Sequence, residues 1–425
     1  MNIEEIYSRF LEYPSISTDS RNILPNSLFF ALKGPNFNGN QYAAEALDKG
    51  AAFAVVDEAQ YAVNDRTLLV PDVLKFLQDL ATHHRRQSKA TIIALTGSNG
   101  KTTTKELISR VLERTYKTQA TVGNLNNHIG VALTLLQIRK DTEMMVVEMG
   151  ANHQKEIAFL CALAEPDFGY ITNYGKAHLE GFGGVEGVIR GKSEMYDYLI
   201  GEGKTIFLNA DDPIQRKKLE SYANTVGFST SDPGYFRIEN QGADPFVTLK
   251  IEDTIIETSL SGAYNFSNCA IAALIGKHFN VPLPEIRKAI ESYVPENNRS
   301  QLLRKGSLDI LLDAYNANPS SMSAALEHLK ALEAPKKFAV LGDMFELGAD
   351  SVSEHQQIAE QAQSLDLDTL ILVGNAFSET TVDAHRFKTF EALVEFLKSN
   401  PISGPGTILI KASRGMALER LKPYL

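Results

Sequence analysis

The sequence lacks the features that mark secreted and membrane-spanning proteins. Its 425 residues include only two cysteines, Cys161 and Cys269, which are too few to cross-link a chain of this length. No apolar run approaches the ~20 residues that a membrane-spanning helix requires. The first residues, MNIEEIYSRFLEY, are acidic and amphipathic, unlike a secretory signal. We therefore expect a cytoplasmic protein that does not insert into a membrane.

Basic residues are also scarce. The chain has 52 acidic and 42 basic residues, which give a formal net charge of −10. A chain without a basic stripe is not expected to bind nucleic acid. Hydrophobic residues make up 44% and charged residues 22%, as in ordinary globular proteins. The length suggests about two to four domains.

Strand and helix patterns alternate along the chain in three segments. The polar stretches THHRRQSKA and PENNRSQ separate these segments. Alternation of strands and helices favours mostly parallel sheets covered by helices, and FVTLKIEDTIIETSL adds an antiparallel hairpin. We predict an α/β fold with a small N-terminal domain (1–88), a central ATPase domain (89–294) and a C-terminal Rossmann-like domain (295–425).

The stretch TIIALTGSNGKTTTKELISRVLE has the layout of a phosphate-binding loop: a strand, a glycine turn, Lys-Thr and a helix. The strict pattern G-x-x-x-x-G-K-[ST] fails, because Leu95 occupies its first glycine position. Lys101 would supply positive charge, and the Thr102 hydroxyl could ligate magnesium. The alternative is a tight turn with an incidental lysine, which the three adjacent threonines disfavour. The predicted ATP contacts here are Gly97, Ser98, Asn99, Gly100, Lys101, Thr102 and Thr103.

Three charged or titratable residues follow in the central segment. Glu148 ends the apolar strand MMVVE, where its carboxylate would emerge beside the phosphate loop and suit a hard cation. His178 follows the strand GYITN, a position where a histidine is more often a loop residue than a ligand. Lys192 has the spacing of a solvated helix lysine. Residue spacing alone therefore supports a metal role only for Thr102 and Glu148.

These motifs resemble those of the Mur ligases, the ATP-dependent amide-bond-forming enzymes of peptidoglycan synthesis, whose loop reads T-G-x-x-G-K-T-T. The resemblance covers essentially the whole chain. In the central segment it rests on NLNNHIGVALTLL, VVEMGANHQKEI, ITNYGKAHLEGFGGVEGVIRGKSEMY and GAYNFSNCAIAA. At the two ends it rests on TDSRNILPNSLFFALKG, DAYNANPSSM, LGDMFELG and KASRGMALE. LGDMFELG and KASRGMALE resemble the members that add a dipeptide.

The resemblance implies a reaction and its ligands. ATP and two magnesium ions would activate the terminal carboxylate of UDP-N-acetylmuramoyl-tripeptide as an acyl phosphate, which the amine of D-alanyl-D-alanine would attack. The nucleotide sugar would lie on the first domain, ATP on the second and the dipeptide on the third. We expect a monomer.

The resemblance also implies residue roles. The catalytic residues would be Lys101, Glu148, His178 and Lys192. The metal ligands would be Thr102, Glu148, His178 and a carbamylated Lys192. Further ATP contacts would be Asn265, Asn268, Arg299 and Asp313, although Asn265 and Asn268 could equally cap a helix. Substrate contacts would be Asp19, Ser20, Arg21, Asn124, Asn126, Asn127, Asn316, Asn318 and Ser321. Weaker candidates for the dipeptide end are Asp343, Glu346, His355, Ser413 and Arg414.

Two other functions remain open at this point. A ligase of the same group that adds a single diamino acid usually carries the motif D-N-P-R, which does not occur in this sequence. A nucleotide-hydrolysing switch or transport ATPase would share the phosphate loop without any condensation chemistry. Phosphate release that needs no peptide acceptor would indicate such an ATPase.

Overall fold

The computed structural model describes residues 2–296 and 298–425, and within them three larger sheets follow one another along the chain. Met1 and Asn297 lie outside the described residues, so the predicted boundary segment PENNRSQ is described only in part. The fold prediction of three α/β domains with a mostly parallel central sheet is confirmed. Among the described residues, no helix has the combination of length and apolarity needed to cross a membrane.

The N-terminal domain has a parallel sheet of order β1-β2-β5-β6. Its strands are β1 (Ser15–Ser17), β2 (Ser27–Phe30), β3 (Lys33–Gly34), β4 (Phe37–Asn38), β5 (Phe53–Val56) and β6 (Thr67–Leu69). Its helices are α1 (Ile3–Glu12), α2 (Ala43–Asp48) and α3 (Val73–Gln87). Strand β2 is buried throughout its length, as its run of apolar residues predicts. The helix α3 leads directly into the central domain.

The central domain has a seven-stranded parallel sheet of order β13-β12-β11-β10-β7-β9-β8. Its strands are β7 (Thr91–Thr96), β8 (Thr118–Ala120), β9 (Met144–Glu148), β10 (Phe168–Ile171), β11 (Thr205–Asn209), β12 (Thr225–Ser229) and β13 (Phe236–Arg237). The predicted hairpin is present, with a third strand beside it: β14 (Glu239–Ala243), β15 (Phe246–Ile251) and β16 (Thr254–Ser261). The phosphate-loop strand β7 lies between β10 and β9, so the carboxyl ends of three strands meet beside the loop.

Eight helices of the central domain cover these sheets in the described part of the chain. They are α4 (Lys101–Leu112), α5 (Gly130–Leu135), α6 (Glu156–Ala164), α7 (Leu179–Phe182), α8 (Val185–Gly201), α9 (Pro213–Leu219), α10 (Asn265–His278) and α11 (Leu283–Glu291). Helices α4 and α10 pack against each other, and a Cβ added at Gly276 would approach Val111 within 2.5 Å. This close packing places the start of α10 beside the phosphate loop.

The C-terminal domain has a six-stranded sheet of order β17-β18-β22-β19-β20-β21, in which only the β17–β18 pair is antiparallel. Its strands are β17 (Gln301–Lys305), β18 (Leu308–Asp313), β19 (Lys337–Gly342), β20 (Thr369–Val373), β21 (His385–Phe387) and β22 (Gly406–Lys411). Its helices are α12 (Pro319–Ala331), α13 (Ser351–Gln363), α14 (Asn375–Ser378) and α15 (Phe390–Ser399). Parallel strands β18 and β22 end at Asp313 and Lys411, so these two side chains lie at the same edge of the sheet.

Candidate active site

A cleft of about 1370 Å³ lies between the central and C-terminal domains. The two domains meet where the carboxyl ends of their parallel strands face each other, the usual ligand position in open α/β sheets. Many of the predicted site residues line the cleft: Ser98, Asn99, Gly100, Lys101, Thr102, Thr103, Asn124, Asn126, Asn127, Glu148, His178, Asn265, Asn268, Arg299, Asp313, Asn316, Asn318 and Ser321. The fold therefore brings together residues that lie more than 200 positions apart in the chain.

The phosphate loop is held in a shape that only glycine tolerates at its two ends. Gly97 has a φ of 141° and Gly100 a φ of 80°, in the left-handed region that favours glycine. A Cβ at Gly100 would lie 2.7 Å from Oδ1 of Asn268. The Nζ of Lys101 donates to the carbonyls of Gly97 (2.8 Å) and Ser98 (3.1 Å), and burial lowers its pKa. Lys101 thus lies folded over its own loop, where a phosphate would meet it.

Glu148 has a buried carboxylate that is only half satisfied. Its Oε1 accepts a hydrogen bond from Nδ2 of Asn126 at 2.7 Å. Its Oε2 is buried and has no hydrogen-bond partner among the described residues. An unpaired buried carboxylate oxygen is costly unless a cation or donor joins it. Glu148 and Thr102 both line the cleft, and carboxylate and hydroxyl oxygens are ligand types that a magnesium ion takes.

Lys192 is fully buried in helix α8, so the interpretation of this residue as a solvated helix lysine is wrong. Its Nζ donates to the Ala151 carbonyl at 3.0 Å and lies 4.9 Å from the centre of the Phe182 ring. Burial and the positive charge of Lys101 lower its pKa well below the usual range for lysine. A lysine in these surroundings is poorly suited to remain charged. A neutral amine, by contrast, can react with carbon dioxide.

His178 lies in the turn after β10 and contacts the C-terminal domain. Its backbone is left-handed, with a φ of 54°, and its Nδ1 is hydrogen-bonded to Oε2 of Glu346. Within residues 2–296 and 298–425, no group of three or more histidine, cysteine, aspartate or glutamate side chains forms a ready metal site. A cation in this cleft would therefore need ligands of other kinds beside Glu148 and His178, such as the Thr102 hydroxyl.

Asn265 and Asn268 join α10 to the phosphate-loop helix. Nδ2 of Asn268 donates to Oδ1 of Asn265 at 2.8 Å, and Oγ1 of Thr104 donates to Oδ1 of Asn268 at 3.0 Å. Nδ2 of Asn265 donates to the Ser261 carbonyl, and no side chain caps the start of α10. Simple capping was the alternative for these two asparagines, and the structure does not show it.

The C-terminal side of the cleft carries a guanidinium stacked on an aromatic ring and a buried ion pair. The Arg299 guanidinium lies 3.5 Å from the centre of the Tyr315 ring. Asp313 accepts from the backbone N–H of Ser300 at 3.0 Å and pairs with the buried Lys411 at 2.5 Å. The side chain of Asp313 is thus fixed at the end of β18, facing the cleft.

Polar contacts connect the two domains across the cleft. Nδ2 of Asn318 donates to Oδ1 of Asn99 in the phosphate loop at 2.7 Å. At the turn that carries His178, the backbone N–H of Lys176 donates to Oγ of Ser320. Nζ of Lys176 forms an ion pair with Glu354 at 2.5 Å. The C-terminal domain therefore contacts both the phosphate loop and the turn that carries His178.

Several predicted residues lie elsewhere. Asp19 and Arg21 are exposed on the N-terminal domain and form an ion pair with each other. The carboxylate of Asp343 accepts hydrogen bonds from the backbone N–H groups of Ala376 and Phe377. Nε2 of His355 accepts a hydrogen bond from the backbone N–H of Met344. The residues that do not line the cleft are Asp19, Ser20, Arg21, Gly97, Lys192, Asp343, Glu346, His355, Ser413 and Arg414. Their predicted contacts with ATP, metal or substrate stay predictions.

Sequence reasoning missed four residues that shape the cleft: Asn173, Lys176, Tyr315 and Lys411. Oδ1 of Asn173 accepts from the backbone N–H of Asn99 and so fixes the phosphate loop. Asn173 and Lys411 lie at or just after the carboxyl ends of β10 and β22, so the rule that ligands bind at strand ends could have found them. The interdomain contact of Lys176 had no sequence signal.

Comparison with known families gives matches along most of the chain. The profile described as Mur ligase family, catalytic domain, matches residues 12–85. The Mur ligase middle domain matches residues 95–276, and the Mur ligase, glutamate ligase domain, matches residues 298–414. The three matches follow the order of the three domains.

Individual relatives are similar over nearly their whole length. UDP-N-acetylmuramoyl-tripeptide--D-alanyl-D-alanine ligase from Bacillus subtilis (strain 168) is 33% identical over 96% of this chain and 92% of its own. The crystal structure of MurF from Acinetobacter baumannii has a TM-score of 0.86 at 30% identity, covering 96% of this chain and 92% of that one. MurF ligase from Thermotoga maritima, crystallised in complex with ADP, has a TM-score of 0.85 at 26% identity and covers 97% of both chains.

Proposed function

The chain belongs to the Mur ligase family, and on that premise we propose that it joins D-alanyl-D-alanine to the C-terminal carboxylate of UDP-N-acetylmuramoyl-tripeptide, using ATP, in peptidoglycan precursor synthesis. The relative from Bacillus subtilis is named for this reaction. The observation that carries the proposal is the cleft itself, where a phosphate loop and a half-satisfied buried carboxylate face a second domain. A nucleotide-hydrolysing switch would not require such an enclosure for a second and third ligand.

The reaction has two steps that balance. A carboxylate oxygen of the tripeptide attacks the γ-phosphorus of ATP, so that ADP leaves and an acyl phosphate forms. The amine of the dipeptide then attacks the acyl carbon, loses a proton, and inorganic phosphate leaves from the tetrahedral intermediate. Carboxylates alone resist amines because oxide is a poor leaving group, and phosphorylation removes that obstacle.

The chain's own residues orient the reactants and offset their charge. Lys101 and the backbone N–H groups at the start of α4 would hold the phosphates. Arg299, held on Tyr315, would approach them from the opposite wall of the cleft. Asp313 would accept hydrogen bonds from ribose hydroxyls, and Asn265 would contact the adenine. Contact between the two domains would exclude water from the acyl phosphate, which hydrolyses readily.

We propose two magnesium sites in this cleft. Thr102 and Glu148 would hold the first ion, and Glu148, His178 and carbamylated Lys192 would hold the second. The ions would neutralise charge on the transferring phosphoryl group. The unpaired Oε2 of Glu148 and the burial of Lys192 support this ligand set.

Each of the three domains would bind a different ligand. The segment 1–88 would bind the uridine nucleotide near Asp19, Ser20 and Arg21, and 89–294 would bind ATP. The segment 295–425 would bind the dipeptide, while Asn126 and Asn127 would meet the tripeptide arm. We propose that the enzyme works as a monomer in the cytoplasm, where ATP and nucleotide sugars are available.

Product analysis tests the reaction. Purified protein with ATP, magnesium, UDP-N-acetylmuramoyl-tripeptide and D-alanyl-D-alanine should form ADP and phosphate in equal amounts, together with the ligated product. Omission of either peptide substrate should stop sustained turnover, because no complete acyl transfer can occur. AMP and pyrophosphate as products would contradict the acyl phosphate route.

Two other outcomes of the same assay identify the competing functions. Full-rate phosphate release without the dipeptide would indicate an ATPase. Ligation of a free diamino acid to a shorter UDP-linked peptide, with no use of D-alanyl-D-alanine, would indicate a ligase that adds a single residue.

A further inference from the structure

The contact between His178 and Glu346 crosses the two domains at the predicted metal site. His178 lines the cleft from the central domain, and Glu346 belongs to the C-terminal segment LGDMFELG. Oε2 of Glu346 is hydrogen-bonded to Nδ1 of His178. The backbone carbonyl of Glu346 also accepts from the N–H of Glu180 at 3.2 Å. Glu346 therefore meets the His178 turn through both its side chain and its main chain.

Both partners adopt an unusual backbone conformation. His178 has a φ of 54° and Glu346 a φ of 62°, values that are uncommon for residues other than glycine. Such conformations are energetically unfavourable and persist where surrounding contacts enforce them. The side chain of His178 is about 20% exposed, whereas that of Glu346 is 52% exposed. The imidazole is therefore the more buried partner of this contact.

We infer that Glu346 is a positioning residue, which fixes the imidazole of His178 from the other domain. A carboxylate at Nδ1 keeps a proton on that nitrogen and leaves the lone pair of Nε2 available for a cation. The inference rests on the proposed function, in which His178 is a magnesium ligand. Its consequence is that the second metal site becomes complete only when the C-terminal domain is in contact with the His178 turn.

The same interface supplies a matched control. Lys176, two residues before His178, pairs with Glu354 of the C-terminal domain at 2.5 Å. Glu354→Ala removes a carboxylate of helix α13 that contacts the same turn across the same interface through Lys176, and not through the imidazole. A general loosening of the domain contact would therefore affect Glu346→Ala and Glu354→Ala alike, whereas loss of imidazole orientation would affect only Glu346→Ala.

Binding of Mn²⁺ measures the effect without catalysis. Mn²⁺ is titrated by electron paramagnetic resonance against each variant, saturated with a non-hydrolysable ATP analogue. Glu346→Ala should weaken binding of the second ion about 10- to 100-fold, the usual cost of losing a carboxylate behind a metal-bound histidine. Glu346→Gln keeps an oxygen acceptor for Nδ1–H and should lose less. Glu354→Ala should leave the affinity of the second ion within about twofold of the wild-type value.

A double variant tests whether Glu346 acts through His178. If it does, His178→Ala combined with Glu346→Ala should bind the second ion no more weakly than His178→Ala alone, because the two losses are not additive. Additive losses would overturn the inference, as would equal losses in Glu346→Ala and Glu354→Ala, or no loss in Glu346→Ala. Circular dichroism checks folding, and Glu346→Gln provides a second variant if Glu346→Ala is unstable.

Failure of this inference differs from failure of the proposed function. If the wild-type protein ligates the dipeptide and binds two Mn²⁺ ions, yet Glu346→Ala binds them normally, only the role of Glu346 is wrong. If the wild-type protein binds the ATP analogue but never ligates the dipeptide, the proposed reaction is wrong, and the Mn²⁺ comparison still measures the coupling between Glu346 and His178.

Discussion

At the scale of single residues, Lys192 is a basic side chain whose surroundings disfavour its positive charge. A buried ammonium donating to one carbonyl is poorly compensated, and a neighbouring magnesium ion would repel it. At ~4 Å and an effective dielectric constant of ~20, repulsion by a doubly charged ion amounts to about 8 kcal/mol. Conversion of the amine into a carbamate reverses the sign of this interaction. A modified Lys192 therefore suits an occupied second metal site, and a free ammonium does not.

We predict that Lys192→Ala abolishes ligation and that millimolar acetate or formate restores part of it. Truncation leaves space in which a small carboxylate can replace the carbamate. Ligation rates are measured with and without the added acid. The matched control is Lys105→Ala, since Lys105 is also a buried lysine that donates to a carbonyl, but it is not among the proposed magnesium ligands. Full activity in Lys192→Ala, or electron density for an unmodified lysine beside an occupied second ion, would refute the carbamate.

At the scale of secondary-structure elements, helix α12 connects the C-terminal domain to the phosphate loop. Asn318 caps α12 through two reciprocal hydrogen bonds. Its Oδ1 accepts from the backbone N–H of Ser321, and Oγ of Ser321 accepts from the backbone N–H of Asn318. The remaining Nδ2 of Asn318 donates to Asn99. One side chain thus begins the helix and contacts the loop that would bind phosphate.

Two substitutions should separate these roles. Asn318→Ala removes the cap and should lower the free energy of unfolding by about 0.5–2 kcal/mol. Asn318→Asp keeps the capping acceptor and should change stability little, but it places negative charge beside the phosphates and should raise KM for ATP by severalfold more than Asn318→Ala does. Urea unfolding and initial-rate kinetics measure the two effects. Equal loss of stability in both variants would show that the capping contact does not stabilise the helix.

At the scale of the whole molecule, each of the two domains presents a basic side chain to the cleft. Lys101 lies on one wall of the cleft and Arg299 on the other. Burial is the main cause that lowers the pKa of Lys101, and the positive charge of Arg299 lowers it further. Without nucleotide these charges oppose each other across the cleft. Bound phosphates would attract both, so ATP should favour the arrangement in which the domains touch.

Solution scattering should report this shift. We predict that a non-hydrolysable ATP analogue with magnesium decreases the radius of gyration toward the roughly 22 Å expected of one compact body of this length. Lys101→Met should respond less, because it removes one of the two charges that the phosphates connect. A radius of gyration that the analogue leaves unchanged in the wild-type protein would contradict nucleotide-driven closure.

Much of the fold was predictable because local patterns and the final structure agree. Four apolar runs of the C-terminal segment predict strands, and they form β18, β19, β20 and β22: LDILLD, KFAVLG, TLILV and GTILIK. The edge strands β17 and β21 have no comparable run. No residue of these two strands is buried, so neither has a clear apolar pattern. The family and the phosphate loop were also predicted from motifs, and the family is confirmed.

The sequence by itself determined the family, the α/β class and which short segments carry the chemistry, because glycine turns, strand ends and helix starts are encoded within a few residues. Only the tertiary structure decided the environment of each side chain. It buried Lys192, left one oxygen of Glu148 unpaired and brought Glu346 into contact with His178, which is 168 positions away in the chain. Burial and pairing depend on which distant elements pack together, and a residue's neighbours in the chain do not specify that.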